Sequence, residues 1–219
     1  MILLSNGVAK GGVLAIIAPI ALVSCGEAAT ITNEAETASA AETINGSETA
    51  VAASFNDDGS VNQPQDYREW VYVGTPLTPN ALNGGEASFP EFHNVYVEPT
   101  AFARYSATGE WPEGTQIAKE LVLVRENDNA PDGSTMEVSG RGYFQGEFAG
   151  LELAVKDSER FADEPGNWAY FSFGHNAPPY AESAQAFPTA SCNSCHEASA
   201  ATDFVFTQFY PVLRATTGN

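Results

Sequence analysis

The sequence predicts a mainly β, α+β fold in which an antiparallel sheet is flanked by a few short helices, one of them near the C-terminus. Three observations predict it. Five segments after residue 90 have the length and the alternating or aromatic composition of strands. Turn signals such as PDGS and EPGN separate them. Helical texture is confined to short stretches, and no internal repeat is present.

The first element lies in residues 66–73, DYREWVYV, where Tyr67, Trp70 and Val71 recur at helical spacing and Asp66 is a plausible cap. A loop rich in Pro, Gly and Asn follows.

A strand is predicted next over residues 91–98. A short helix is predicted over 99–106, because Pro99 stands at a favourable first helical position.

Residues 115–124, TQIAKELVLV, predict a central strand because both alternating faces are largely apolar. Lys119 is the exception on its face. An unpaired charge there is costly, so the lysine is expected to snorkel or to pair with a carboxylate.

Three more strands are predicted over 134–144, where glycines indicate a bulge, 150–157 and 167–174. A final helix is predicted from Asp203, with Pro211 as a kink.

The charge balance restricts the partners. The 219 residues include 28 Asp and Glu against 9 Lys and Arg, a net charge of −19. Such a surface repels nucleic acid and anionic headgroups, so nucleic acid is excluded as the main partner. Basic redox partner proteins remain compatible with it.

The N-terminal 25 residues have the features of a bacterial export signal. One Lys precedes an apolar stretch that is too short and too interrupted for a comfortable membrane span. Its end, LVSC, resembles a lipobox, which would make Cys25 the lipidated first residue of the mature protein. An ordinary signal with an incidental Cys is the alternative. Both predict export, and the first predicts a periplasmic protein that contacts the membrane only through its lipid.

Residues 26–63 are rich in Ala, Thr, Glu, Ser and Asn and have almost no large apolar side chains, which predicts a disordered acidic tether. The folded domain is therefore predicted over 64–219.

The strongest motif is CNSCH, at residues 192–196, which allows three kinds of site. A structural zinc site requires a second pair of Cys or His, and the other histidines, His93 and His175, are distant and unpaired in the sequence. A redox dithiol usually opens the first helix of a βαβ unit, which is missing here. Covalent haem attachment is favoured. Cys192 and Cys195 would form the thioethers of one haem c, and His196 would be the proximal iron ligand.

The position of the motif bears on the other face of the iron. Only 23 residues follow His196, and none is Met or His. A sixth ligand would have to come from Met136, His93 or His175. Without one, the iron is open to a small molecule.

Five segments within about residues 64–214 are informative together: YREWVYVGTPLTPN, HNVYVEPTAF, WPEGTQIAKELV, GLELAVKDSERFADEPGNWAYFSFG and the terminal CNSCH. Through these segments the sequence resembles the cytochrome P-460 family, which includes the cytochromes c′-beta. The resemblance implies an antiparallel sheet with packed helices and a c-type haem near the C-terminus. It also implies that a homodimer is common among relatives.

The resemblance implies two activities. Some members oxidise hydroxylamine and carry a Lys–haem cross-link, for which Lys119 is the favoured residue here. Others bind nitric oxide in an aromatic pocket. Enzyme activity therefore stays open, and a simple six-coordinate electron carrier is the alternative. Further candidates for the haem surroundings are Arg104 and Arg141 for the propionates, and Phe92 and Phe102 for the pocket wall.

Overall fold

The computed structural model describes residues 50–126 and 128–216. In this part of the chain the strands and α-helices are, in order, β1 (Val61–Asn62), β2 (Val71–Gly74), β3 (Phe92–Val97), α1 (Pro99–Thr108), β4 (Gln116–Val124), β5 (Thr135–Glu137), β6 (Gly140–Gly142), β7 (Gln145–Lys156), β8 (Trp168–Ser172), β9 (Ser183–Ala184), α2 (Asn193–Ser199) and α3 (Pro211–Thr216).

The main sheet has five strands in the order β2-β3-β4-β7-β8, and every neighbouring pair is antiparallel. The predicted fold class is confirmed. Strand β4 lies at the centre, as its two apolar faces predicted, because a strand covered on both sides buries alternate residues in two cores. Ile117, Lys119 and Leu121 point to one side of the sheet, which we call the helix face. Ala118 and Glu120 point to the opposite face.

Each face of the sheet has its own core. The helix face packs against the helices and the C-terminal segment through the buried residues Val73, Val95, Val97, Ala101, Tyr105, Trp111, Ile117, Trp168, Tyr170, Val205, Tyr210 and Leu213. The opposite face buries Val61, Tyr67, Ala118, Leu151, Leu153, Val155, Ala169, Phe171, Phe173 and Ala184.

Helix α1 begins and ends where its sequence directs. The buried Glu98 side chain accepts hydrogen bonds from the backbone N–H groups of Thr100 at 3.0 Å and Ala101 at 2.8 Å, and Pro99 occupies the first turn. Gly109 ends the helix at φ +75°, a left-handed conformation that suits glycine. The predicted helix over 99–106 is confirmed and is two residues longer.

Two predictions, one of a helix and one of a strand, are wrong in part. Residues 67–69 form a single 3₁₀ turn and the chain then enters β2, because Trp70 is already extended and the side chain of Asp66 caps nothing. Residues 134–144 are two strands, β5 and β6, which pair with each other across a tight turn instead of forming one bulged strand. A glycine at φ +114°, Gly140, begins the second strand.

The helix predicted from Asp203 is also wrong. Asp203 and Phe204 have φ values of +43° and +60°, which no right-handed helix contains. A 3₁₀ turn over 207–209 follows, and helix α3 begins at Pro211, so this proline starts a helix instead of kinking one.

The folded part begins earlier than the expected boundary at residue 64. Val61 is fully buried and β1 pairs with β9, and the side chain of Gln116 donates a hydrogen bond of 2.7 Å to the carbonyl of Val51. The end of the expected tether is therefore packed, because few but well-placed apolar residues suffice for burial. The predicted signal over 1–25, Cys25 and most of the tether lie outside the described residues. Among the helices that the structure describes, none is long and apolar enough to cross a bilayer.

Candidate functional site

The CNSCH motif begins helix α2, which is fastened to the sheet. Cys192 is the N-cap residue, and its carbonyl accepts the backbone N–H of His196 at 3.1 Å. The next residue, Asn193, is buried and its side-chain amide donates to the carbonyl of Trp168 at 2.7 Å. Because Trp168 begins β8, this bond fixes the short helix against the helix face.

The imidazole ring of His196 is held by one hydrogen bond and by two aromatic contacts. Its Nδ1 lies 2.7 Å from the carbonyl oxygen of Phe204 and donates to it, and the ring packs against Tyr170 and Phe206 at centroid distances of 4.3 and 4.5 Å. Burial lowers the pKa of His196, more than the bond to Phe204 raises it. The neutral ring with its proton on Nδ1 has its free lone pair on Nε2.

The two thiols are free and lie one helical turn apart. Cys192 is partly buried and packs against the core of the helix face, and burial raises the pKa of its thiol. Cys195 is exposed. Among the described residues, no three or more His, Cys, Asp or Glu side chains are grouped to hold a metal ion.

This arrangement fits a c-type haem. Covalent attachment requires two unpaired thiols at this spacing and a histidine whose Nε2 is free to bind iron. Cys192 and Cys195 meet the first requirement, and the Nδ1 bond of His196 meets the second.

Lys119 does pair with a carboxylate. Its Nζ lies 2.5 Å from Oε2 of Glu152, the residue directly across from it on β7, and both side chains are about 30% exposed, at 27% and 31%. The ammonium also lies 5.4 Å from the ring centroid of Phe89. Glu152 pairs with Ser172 on β8, two residues from Tyr170 on the same face, and Tyr170 packs on the His196 ring, so this ion pair lies close to the motif. Lys119 lowers and Glu152 raises the pKa values of Cys192 and His196.

A second polar group lies on the helix face next to this pair. Within the described residues His93 has a buried Nε2 with no hydrogen-bond partner. Burial, with a smaller effect of Lys119, lowers the pKa of His93 to about 4. Two residues away the buried Glu91 accepts a hydrogen bond of 2.7 Å from His175 through Oε1, while its Oε2 also lacks a partner there.

The remaining predicted site residues divide into two groups. Phe102 packs against the same core as Cys192, and Arg104 follows two residues later on α1. None of the contacts recorded for the other three joins them to the motif. Arg141 on β6 binds Asp128 and Ser134, exposed Met136 lies on the paired strand β5, and Phe92 pairs with Val122 and points to the opposite face of the sheet.

Several neighbours of the motif were missed by sequence reasoning. The cross-strand partner of Lys119, Glu152, could have been found from the β4–β7 register. Tyr170 and Phe206 are aromatic residues that the sequence does not distinguish from core residues. The carbonyl of Phe204 has no sequence signal, because a backbone acceptor is the same in every residue.

The comparisons with known proteins identify a family for the chain. The model of the family described as Cytochrome P460 matches residues 64–207, which include the sheet, α1 and α2. No curated protein matches the chain.

Proposed function

The chain belongs to the cytochrome P460 family, and from this premise we propose that it carries one haem c, attached through Cys192 and Cys195, with His196 as the iron ligand. We propose further that the haem binds, or carries out redox chemistry on, a small nitrogen species such as nitric oxide or hydroxylamine at the face away from His196. That the chain is a haem-binding cytochrome follows from its family.

One observation carries the assignment of the ligand. His196 donates through Nδ1 to the carbonyl of Phe204 at 2.7 Å, which keeps Nε2 free and fixes the ring plane. Tyr170 and Phe206 pack on the half-buried ring and support its orientation. When bound, the haem supplies an iron that exchanges electrons and accepts small ligands.

Polar side chains near the motif support a small nitrogen species as the ligand. Lys119, Glu152 and His93 occupy the helix face close to one another, and His93 has a buried nitrogen without a partner in the described residues. A polar ligand can satisfy such an atom, whereas an apolar surface leaves its desolvation uncompensated. The ring of Phe89 lies 5.4 Å from the Lys119 ammonium, and Phe102 packs against the core that Cys192 contacts.

Lys119 is the residue that we propose for a cross-link, if the protein oxidises hydroxylamine as some relatives do. The other lysine of the described residues, Lys156, is engaged by Asp203 and by the carbonyl of Trp111. Because Lys119 is ion-paired with Glu152, we favour a free amine and a haem held by thioethers alone. Mass spectrometry of haem-bearing peptides decides the point: a fragment joining Lys119 to the haem contradicts the free amine.

The alternative function is a simple electron carrier with a six-coordinate iron. Of its three candidate ligands, Met136 is 53% exposed on the β5–β6 hairpin and His175 is bonded to Glu91. His93 is the one whose buried nitrogen lacks a partner, so the alternative depends on this residue.

Covalent attachment is tested by replacing both thiols. Cys192→Ala with Cys195→Ala should abolish haem staining of the protein on a denaturing gel. Ser194→Ala is the matched control, because this residue lies between the two cysteines and its hydroxyl bonds only the carbonyl of Ala190 at 3.1 Å. Staining that persists in the double variant contradicts the assignment.

The open iron face is tested by optical spectra of the oxidised and reduced holoprotein. A high-spin spectrum that changes on addition of nitric oxide or carbon monoxide is expected. A low-spin spectrum without a reaction to either gas contradicts the proposal. If His93→Ala then restores gas binding, the electron-carrier alternative is correct.

The remaining proposals concern the setting of the protein. We propose that it is exported and anchored by a lipid on Cys25, since covalent haem attachment takes place outside the cytoplasm and residues 1–25 resemble a lipoprotein signal. Cys25→Ala should release it from the membrane fraction. The net charge of −19 favours a basic redox partner, whose binding should weaken with salt. Light scattering tests the expected homodimer.

A further inference from the structure

The carbonyl that holds His196 belongs to a loop with an uncommon backbone. Phe204 carries this carbonyl, which also accepts a hydrogen bond of 3.3 Å from the hydroxyl of Tyr170. Phe204 and the preceding Asp203 have φ values of +60° and +43°. Two consecutive non-glycine residues in this region are costly, so contacts elsewhere must hold the loop.

The side chain of Asp203 supplies the main contact. Its Oδ2 lies 2.5 Å from Nζ of Lys156, and its Oδ1 lies 3.4 Å from the indole N–H of Trp168. Lys156 also donates to the carbonyl of Trp111 at 3.3 Å and is 16% exposed. Since Lys156 and Trp168 are cross-strand neighbours on β7 and β8, two strands of the main sheet fix Asp203.

Close packing between Gly166 and the ring of Phe204 also holds the loop. A Cβ atom at Gly166 would collide with the ring of Phe204, so this position has room only for glycine. Thr202 and Val205 bridge the ends of the turn. The loop is therefore confined by an ion pair, by a ring contact and by its own hydrogen bonds.

We propose that the ion pair between Lys156 and Asp203 is a positioning device for His196. It keeps the Phe204 carbonyl at the distance at which Nδ1–H of His196 donates strongly, and thereby sets how much electron density the imidazole gives to the iron. The inference rests on the proposed function, because it takes His196 as the iron ligand. Lys156 and Asp203 touch neither the haem thiols nor the imidazole in the contacts that the structure gives them, so they act through the loop.

The direction of the effect follows from hydrogen bonding. A proximal histidine that donates strongly gains imidazolate character, which stabilises the oxidised iron and lowers the reduction potential. Without the ion pair, the loop can relax towards ordinary φ values and the carbonyl moves away from Nδ1. The reduction potential should then rise, and the iron–histidine stretching frequency of the reduced protein should fall.

The test uses the full-length holoprotein with two disrupting variants. Lys156→Met removes the charge and keeps most of the stem, and Asp203→Asn removes the charge while Asn still tolerates positive φ. Both should raise the potential and lower the stretching frequency in resonance Raman spectra, with haem staining unchanged. Lys156→Arg keeps the positive charge, so both values should stay close to those of the wild type. Glu137→Gln is the matched control, because it breaks a 2.5 Å ion pair with Arg125 next to the β5–β6 hairpin.

Two outcomes separate the failure of this inference from that of the proposed function. A folded Lys156→Met or Asp203→Asn protein with normal staining and wild-type values of both quantities overturns the inference alone. Absence of covalent haem from the wild-type protein overturns the proposed function. If neither variant folds, Lys156→Gln, which keeps a donor for Asp203, should give a smaller shift in the same direction, and wild-type values in it overturn the inference.

Discussion

Lys119 and Glu152 face each other across the central strands of the sheet, with 2.5 Å between Nζ and Oε2. They are cross-strand neighbours on the face that α2 covers. Lys119 lowers and Glu152 raises the pKa values of Cys192 and His196. Removing one partner of an ion pair that is about 30% exposed costs more than it does at the surface and less than it does in the core.

Lys119→Met should therefore lower the free energy of unfolding by about 1 kcal/mol, since Glu152 is left without its counterion. Glu152→Gln should lower the free energy of unfolding less in the Lys119→Met background than in the wild type. Urea unfolding of the four proteins measures this coupling. Strictly additive losses would show that the two side chains do not interact in solution.

The lowered pKa of His93 predicts that the protein loses folding stability in mild acid. Burial lowers its pKa from 6.5 to about 4, so below pH 6.5 the unfolded chain binds a proton that the folded protein does not. The contribution is fully present above pH 6.5 and is lost as the pH falls towards 4, by up to about 1.4 kcal/mol per pH unit. Lys119 strengthens the shift, and Glu91 and Glu152 oppose it.

Unfolding of wild type and His93→Asn at pH 7 and pH 5 checks this expectation. The wild type should lose more stability than the variant between the two values. Equal losses would mean that His93 titrates normally in the folded protein.

Glu120 is a structural carboxylate rather than a partner of the haem site. It lies on the opposite face of the sheet and is 1% exposed. Its carboxylate accepts hydrogen bonds from the hydroxyl of Tyr67 at 2.6 Å, from the guanidinium of Arg68 and from the hydroxyl of Tyr180 at 3.4 Å. Glu120→Ala should cost about 3 kcal/mol of stability, because three donors lose their acceptor.

The optical spectrum and gas binding of that variant should stay as in wild type, provided that they are measured well below its unfolding temperature. Glu152→Gln is the comparison, since it removes a carboxylate from the face that bears the motif. A change of spectrum in Glu120→Ala that exceeds the one in Glu152→Gln would place this cluster within reach of the haem.

The N-cap of α1 is a further stability determinant. Glu98 is 3% exposed and accepts two backbone N–H groups. Glu98→Ala should lower the free energy of unfolding by about 1–2 kcal/mol. Glu110→Ala, an exposed residue after the same helix, is the control and should change it by less than about 0.5 kcal/mol. Thermal unfolding followed by circular dichroism measures both, and similar losses would argue against the cap.

The sequence predicts the sheet better than the segments that complete the site. Alternation identifies β4, β7 and β8 because a strand between two cores repeats its pattern every two residues. The motif from Cys192 to His196 is recognised because two cysteines at this spacing, followed at once by a histidine, rarely occur by chance. The turn at Asp203 is misread as a helix start, since a capping residue and a left-handed aspartate look alike in sequence.

The pairings of the site depend on tertiary structure. The Lys119 partner follows from strand register, which no single segment specifies. The acceptor for His196 is a backbone carbonyl, and the position of that carbonyl depends on Lys156, whose partner is 47 residues away along the chain.

The packing of residues 50–62 also has a consequence for the distance from the membrane. On the proposed attachment at Cys25, the segment between the lipid and the fold ends at Ala50 or before it, since Ala50 is already buried at 6% exposure, instead of near residue 64. At about 3.5 Å per residue, even a fully extended segment spans no more than about 90 Å, against about 140 Å for the longer one. On this proposal the fold, and any redox partner that binds it, would lie within a correspondingly shallower layer above the bilayer.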